Sequence, residues 1–209
     1  MKNITGTLYV LCEWAMKLAY ANLVWLLFSL CGAVLFGVIP ATAALFSVLG
    51  KWLKGEDDFR VLPVFWQVYR NHFLRLNGFG LLWGLIGFFL YLDVRFLTNH
   101  DGFAATAMQL AVYVVLLLYL VTTLYFFPVY TAFRLTVFQS VKVSLVFGLS
   151  HVMSTLAMVG GTAMFFLFFY FFPYFSGMIV LFGASLPAFI IQSAARRVLA
   201  NVPLASERE

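Results

Sequence analysis

Long apolar runs separated by short polar clusters dominate the chain. Asp, Glu, Lys and Arg are absent from Phe103 to Phe133 and again from Val143 to Ala195. A bilayer span needs only ~20 apolar residues, so the second of these stretches holds two spans and a turn. The pattern predicts an all-α, polytopic helical membrane bundle of about six spans: 18–37, 41–53, 76–97, 104–128, 156–172 and 178–195. Glu13 and Lys17 stand four apart, which lets them pair on one helical face. Residues 4–17 therefore read as an interfacial segment leading into the first span. No repeat, linker or composition shift divides the chain, so residues 1–209 form a single transmembrane domain.

The stretch Phe36 to Phe46 decides the topology. A Gly37–Pro40 turn precedes Ala41–Leu53, whose 13 residues make about 20 Å of helix against a hydrocarbon core of ~30 Å. If this short segment returns the chain to its starting side, that side holds Lys2, Lys17, Lys51, Lys54, Arg60, Arg70, Arg75, Arg134, Lys142, Arg196, Arg197 and Arg208, and only Arg95 lies opposite. If it does not, every later loop flips. Lys and Arg orient membrane segments, so the expectation is a short second span or a re-entrant hairpin, with both termini cytoplasmic. Ala41, Ala43 and Ala44 allow the close helix contact such a hairpin needs.

Composition agrees. Of 209 residues 64% are hydrophobic and 10% charged, with 25 Phe and a mean hydropathy of +0.98, far from the ~25% charged of a soluble domain. The net charge of +5 is explained by orientation, and no nucleic-acid partner is implied. Cys12 and Cys31 read as unpaired buried thiols. Lys2 and the apolar run behind it mimic a signal peptide, but Glu13 and Lys17 interrupt the run and no small-x-small site closes it.

Between spans two and three, Leu62, Phe65, Trp66, Tyr69, Phe73 and Leu76 fall near one side of a helix that starts about Pro63, with Arg60, Gln67, Arg70, Asn71 and Arg75 mostly opposite. This predicts a basic amphipathic helix over 59–75 lying in the membrane surface against anionic lipid. A second inner-face segment is expected at 134–150. Pro128 is expected to close or kink the fourth span. Asn22, the one strongly polar side chain in the first span, is expected to hydrogen-bond a neighbouring helix. Glu56-Asp57-Asp58 reads as a solvated loop, because consecutive acids cannot all face one ion. His72 and His151 lie near the inner boundary and His100 outside, without the Cys or acidic neighbours of a metal site. No cofactor is expected.

Catalysis is not expected either: no Ser/His/Asp, paired-carboxylate or HExxH arrangement is present. Ion-coupled transport requires intramembrane ionisable groups, and only Glu13 and Asp93 come near a span boundary.

Three blocks resemble a known family. Ala21-Asn22-Leu23-Val24-Trp25-Leu26-Leu27-Phe28-Ser29-Leu30 is followed by Pro40-Ala41-Thr42-Ala43-Ala44-Leu45 and then by Tyr69-Arg70-Asn71-His72-Phe73. Phe127-Pro128-Val129-Tyr130 with Arg134 adds a weaker fourth. Together they resemble the YesL family of small bacterial multi-pass membrane proteins. The chain departs from that pattern in having Val38-Ile39 before Pro40 and Cys31-Gly32 after Phe28-Ser29. The resemblance singles out Asn22, Trp25, Pro40, Thr42, Arg70, Asn71, Phe73, Pro128 and Arg134 as motif positions. It implies proximity to carbohydrate uptake, hence an accessory protein partnered with ABC transporter subunits or a sensor kinase. The alternative is an independent small-solute (sugar) transporter with its site at helix breaks near Pro40, Pro173 and Pro187, where interrupted helices free backbone groups. A permease role is disfavoured by the lack of a Glu-Ala-Ala-type loop.

Overall fold

A computed structural model describes residues 2–99, 102–133 and 135–199. The described residues are mainly helical, with no strand: α1 Lys2–Cys31, α2 Val38–Leu53, α3 Val61–Leu97, α4 Phe103–Phe133, α5 Val137–Ser150, α6 Val152–Phe171, a 3₁₀ turn Pro173–Met178, α7 Ile179–Phe182 and α8 Ser185–Leu199. Five helical stretches among them are long and apolar enough to cross a membrane: Gly6–Cys31, Val61–Leu97, Phe103–Phe133, Val152–Phe171 and Ile179–Leu199. The chain is a polytopic helical membrane bundle.

The short helix α2 is the centre of that bundle. Ala41, Ala43, Ala44, Leu45, Val48 and Leu49 are fully enclosed by α1, α3, α4 and α8. The small side chains let the neighbouring backbones come close, and Phe46 stacks on Phe127 with ring centroids 5.5 Å apart. Dispersion across such contacts, rather than exclusion of water, holds helices together in lipid.

Several boundaries differ from the sequence reading. Residues 4–17 and the first span form one helix, because Glu13 is neutralised within α1 by Lys17 at 2.6 Å and no Pro interrupts it. That helix ends at Cys31, six residues before the expected Gly37. The turn is Gly32–Gly37, and a side chain on Gly32 would collide with the backbone of Gly37. Pro40 is the third residue of α2, in the first turn where its missing N–H leaves no bond unmade.

The surface helix expected at 59–75 and the span at 76–97 are one continuous α3 of 37 residues. Its amphipathic face turns inward: Phe65, Tyr69 and Leu76 are buried in the bundle, while Leu62 and Trp66 stay outside. No Gly or Pro lies between Val64 and Asn77 to break it. Pro128 does not close α4, which runs on to Phe133. The Thr131 hydroxyl donates to the carbonyls of Phe127 and Pro128 at 2.9 and 3.3 Å, supporting the backbone next to the missing donor. The segment expected at 134–150 is α5, started by a capping box between Thr136 and Gln139. It packs on the second half of α4, with Gly148 against Val121 and Phe147 facing Phe133. The expected last span, 178–195, is two helices, α7 and α8, and α8 continues through Arg196 and Arg197 to Leu199.

Candidate functional site

Asn22 lies at the bundle's principal polar junction. It is 1% exposed and faces the break between α7 and α8. Its Nδ2 donates to the Val180 carbonyl at 2.8 Å. Its Oδ1 accepts the N–H groups of Ala184 and Ser185, each at 2.9 Å. A helix start leaves its first N–H groups without intrahelical partners, and inside a membrane each is costly. Asn22 supplies the missing partners from another helix.

One turn further along α1, the Trp25 indole N–H donates to the Thr42 hydroxyl at 3.1 Å. That hydroxyl donates in turn to the Val38 carbonyl at 2.7 Å. Two motif positions 17 residues apart are thus brought together, and they lock α1 to the start of α2. Phe73 is half-buried beside Tyr69, centroids 5.4 Å apart. Pro128 is buried. Arg70 and Asn71 are exposed on the outer side of α3. Arg134 lies outside the described residues, as does His100.

The charged end of the bundle is knit by two lysines. Lys17 holds Glu13 at 2.6 Å and Asp57 at 2.8 Å, with its ammonium over Trp14 and Trp52. Lys51 holds Glu56 at 2.9 Å and keeps that carboxyl below its ordinary range, chiefly through the hydrogen bond. The Arg196 guanidinium donates to the Leu53 carbonyl, closing the C-terminal end of α2, where cations are favoured. Glu56 and Asp57 therefore turn to different lysines, and among the described residues no three His, Cys, Asp or Glu side chains are grouped to hold a metal.

Sequence reasoning missed the polar rungs between α3 and α4. Tyr130 meets His72 Nδ1 at 2.7 Å, the Trp83 indole donates to Thr123 at 2.9 Å, and the Tyr119 hydroxyl donates to the Trp83 carbonyl at 3.1 Å. An isolated Trp, Thr or Tyr in an apolar run carries no signal of its partner. The intramembrane polarity of these side chains was the only available hint.

The chain is 36% identical to YteU of Bacillus subtilis (strain 168) over 198 residues, covering 94% of this chain and 87% of that protein. It belongs to the YesL-like DUF624 family. Residues 18–94 match the family model described as "Protein of unknown function, DUF624", a region spanning α1 from Leu18, all of α2 and most of α3. Two further B. subtilis relatives are 32% identical: YesV over 93% of this chain and 92% of its own length, and YesL over 76% and 75%. All three are named as uncharacterized proteins. No solved structure matches this DUF624 chain. The family region coincides with the Asn22, Trp25, Thr42 and Arg70 positions.

Proposed function

We propose that this DUF624 protein is a non-enzymatic accessory subunit of the bacterial cytoplasmic membrane, docking onto a carbohydrate ABC uptake system or its sensor kinase. The docking surface is the outer stripe of the first turns of α3. Leu62, Trp66, Arg70 and Leu74 recur every four residues along it. Trp66 is 52% and Leu74 85% exposed. One observation carries the reading: Lys17 and Lys51 take up Glu13, Glu56 and Asp57, while Arg70, like Lys54, Arg60 and Arg75, has no ion-pair partner among the described residues, and of these only Arg70 shares a stripe with the exposed Trp66. An exposed Trp and Arg on one stripe is the composition of an interaction hot spot. The role in carbohydrate uptake rests on the family resemblance. Anionic lipid at the same end of the bundle is the expected background partner.

The transporter alternative loses support at two of its three proposed sites, Pro40 and Pro187. Pro40 lies in the first turn of α2, whose surroundings are filled by buried side chains. Pro187 lies in the first turn of α8, and the backbone groups freed at the break before it are taken by Asn22. Affinity purification from native membranes in mild detergent tests the proposal: transporter or sensor subunits are expected with the wild type and lost with Trp66→Ala/Arg70→Ala. Repeated recovery of the wild-type protein alone would reject it. Flux of a sugar panel into proteoliposomes would favour the alternative.

A further inference from the structure

The turn between α1 and α2 stops beside the middle of α3. The Tyr69 hydroxyl lies against Gly32, and the Ile39 side chain fills the space over Gly80. Beyond Gly80, α3 continues for 17 residues to Leu97, about 25 Å of helix. Its partner there is α4: Trp83 bonds Thr123 and Tyr119, and Gly87 abuts Tyr119. The charges that mark the far end of α3, Asp93 and Arg95, stand about 20 Å past the level of Gly80 at 1.5 Å per residue. At the other end, Lys17, Lys51 and Arg196 gather beside Asp57 and Leu53. The 16 residues of α2 make about 24 Å of helix, short of a ~30 Å core.

The tip itself presents an apolar surface and leaves no backbone N–H unpaired. From Leu30 to Ile39 the side chains are all apolar apart from the Cys31 thiol, and Leu35 is 75% exposed with Val34 and Phe36 also outside. Irregular backbone facing lipid is excluded unless its polar groups are satisfied internally. Here every N–H from Gly32 to Val38 has a backbone acceptor in the last turn of α1 or in the turn itself: Phe28, Leu30, Ser29, Ala33, Gly32, Val34 and again Val34, in that order, while the carbonyls of Cys31, Leu35 and Phe36 take no backbone N–H. Closing this set requires Ala33 and Val34 at φ 53° and 61°, a left-handed conformation unusual for residues with a Cβ and most of all for a β-branched one.

From these observations we infer that α1 and α2 form a re-entrant hairpin. It enters from the lysine-rich side and turns within the hydrocarbon, its tip at Val34, Leu35 and Phe36 in contact with lipid acyl chains rather than with water. This holds whether or not the protein docks onto a transporter.

Thiol accessibility of the full-length protein in sealed membranes tests it. In a Cys12→Ser/Cys31→Ser background, Leu35→Cys is expected to show complete loss of labelling by a sulfonated, impermeant maleimide from either side. Asn99→Cys should react from one side, and both should react after detergent. A nitroxide at position 35 should be relaxed by oxygen and not by a water-soluble nickel chelate. The natural Cys31 in a Cys12→Ser protein repeats the test without altering the tip. Labelling of position 35 or Cys31 from the Asn99 side would mean a full crossing and overturn the inference. Labelling from the opposite side would mean a water-filled cavity and overturn it as well.

Discussion

Asn22 in α1 and Ser185 at the start of α8, 163 positions apart, are joined by a 2.9 Å hydrogen bond from the Ser185 N–H to the Asn22 side-chain oxygen. The same amide also engages Val180 and Ala184, so it both supports the broken helix α7–α8 and fixes it to the region that matches the family model. Asn22→Leu keeps the volume and deletes all three bonds. A loss of about 1–3 kcal/mol is expected, because two N–H groups are left buried without acceptors. The thermal midpoint in detergent should fall accordingly. Asn22→Asp should be no milder, since it removes the donor to Val180 and adds a buried charge.

The Trp25–Thr42 bond predicts coupling. Thr42→Val and Trp25→Phe should each destabilise by about 0.5–1.5 kcal/mol, and the double variant should lose less than the sum. A double-mutant cycle on unfolding in mixed micelles measures the difference. Strict additivity would show that the contact contributes nothing.

The enclosed face of α2 predicts intolerance of size rather than of polarity. Ala44 is fully buried, and Ala44→Leu should cost about 1–3 kcal/mol by overpacking, read as a lower midpoint and earlier aggregation on size exclusion. Exposed Leu117→Ala on α4 is the matching control and should leave both unchanged.

Much of the bundle was legible in the pattern of apolar runs. The span at 104–128 lies within α4 and that at 156–172 overruns α6 by one residue, because nothing competes with helix in charge-free stretches. The differences have two causes. Amphipathicity at Phe65, Tyr69 and Leu76 was assigned to a membrane surface, whereas those side chains face other helices, and periodicity cannot distinguish lipid from protein as the apolar partner. A proline alone suggests a turn at Pro40 and a close or kink at Pro128, but the first lies in an opening turn and the second inside a helix that continues beside Thr131. The partners of Asn22 and Lys17 are far away in sequence, so their roles became visible only in three dimensions.

The Lys51–Glu56 pair gives a pH prediction. A carboxyl held below its ordinary range stabilises the fold fully above the unfolded-state value of about 4.3, and the contribution is lost as pH falls through the lowered folded value. Glu56 is exposed, so the effect on stability is slight and the direct readout is its own titration. In Lys51→Met, the Glu56 carboxyl carbon should titrate higher by NMR, towards the ordinary range. No change would mean that the pair is not formed in solution.

The accessory role is tested most directly by site-specific photo-crosslinking in native membranes with benzoylphenylalanine at position 66. Position 164, where Met164 faces outward on α6, serves as the lipid-facing control. The expected result is one discrete adduct at position 66, identified by mass spectrometry as a carbohydrate transporter or sensor subunit, and only diffuse lipid adducts at position 164. Lipid adducts alone at both positions, in cells expressing the uptake system, would contradict the proposed role.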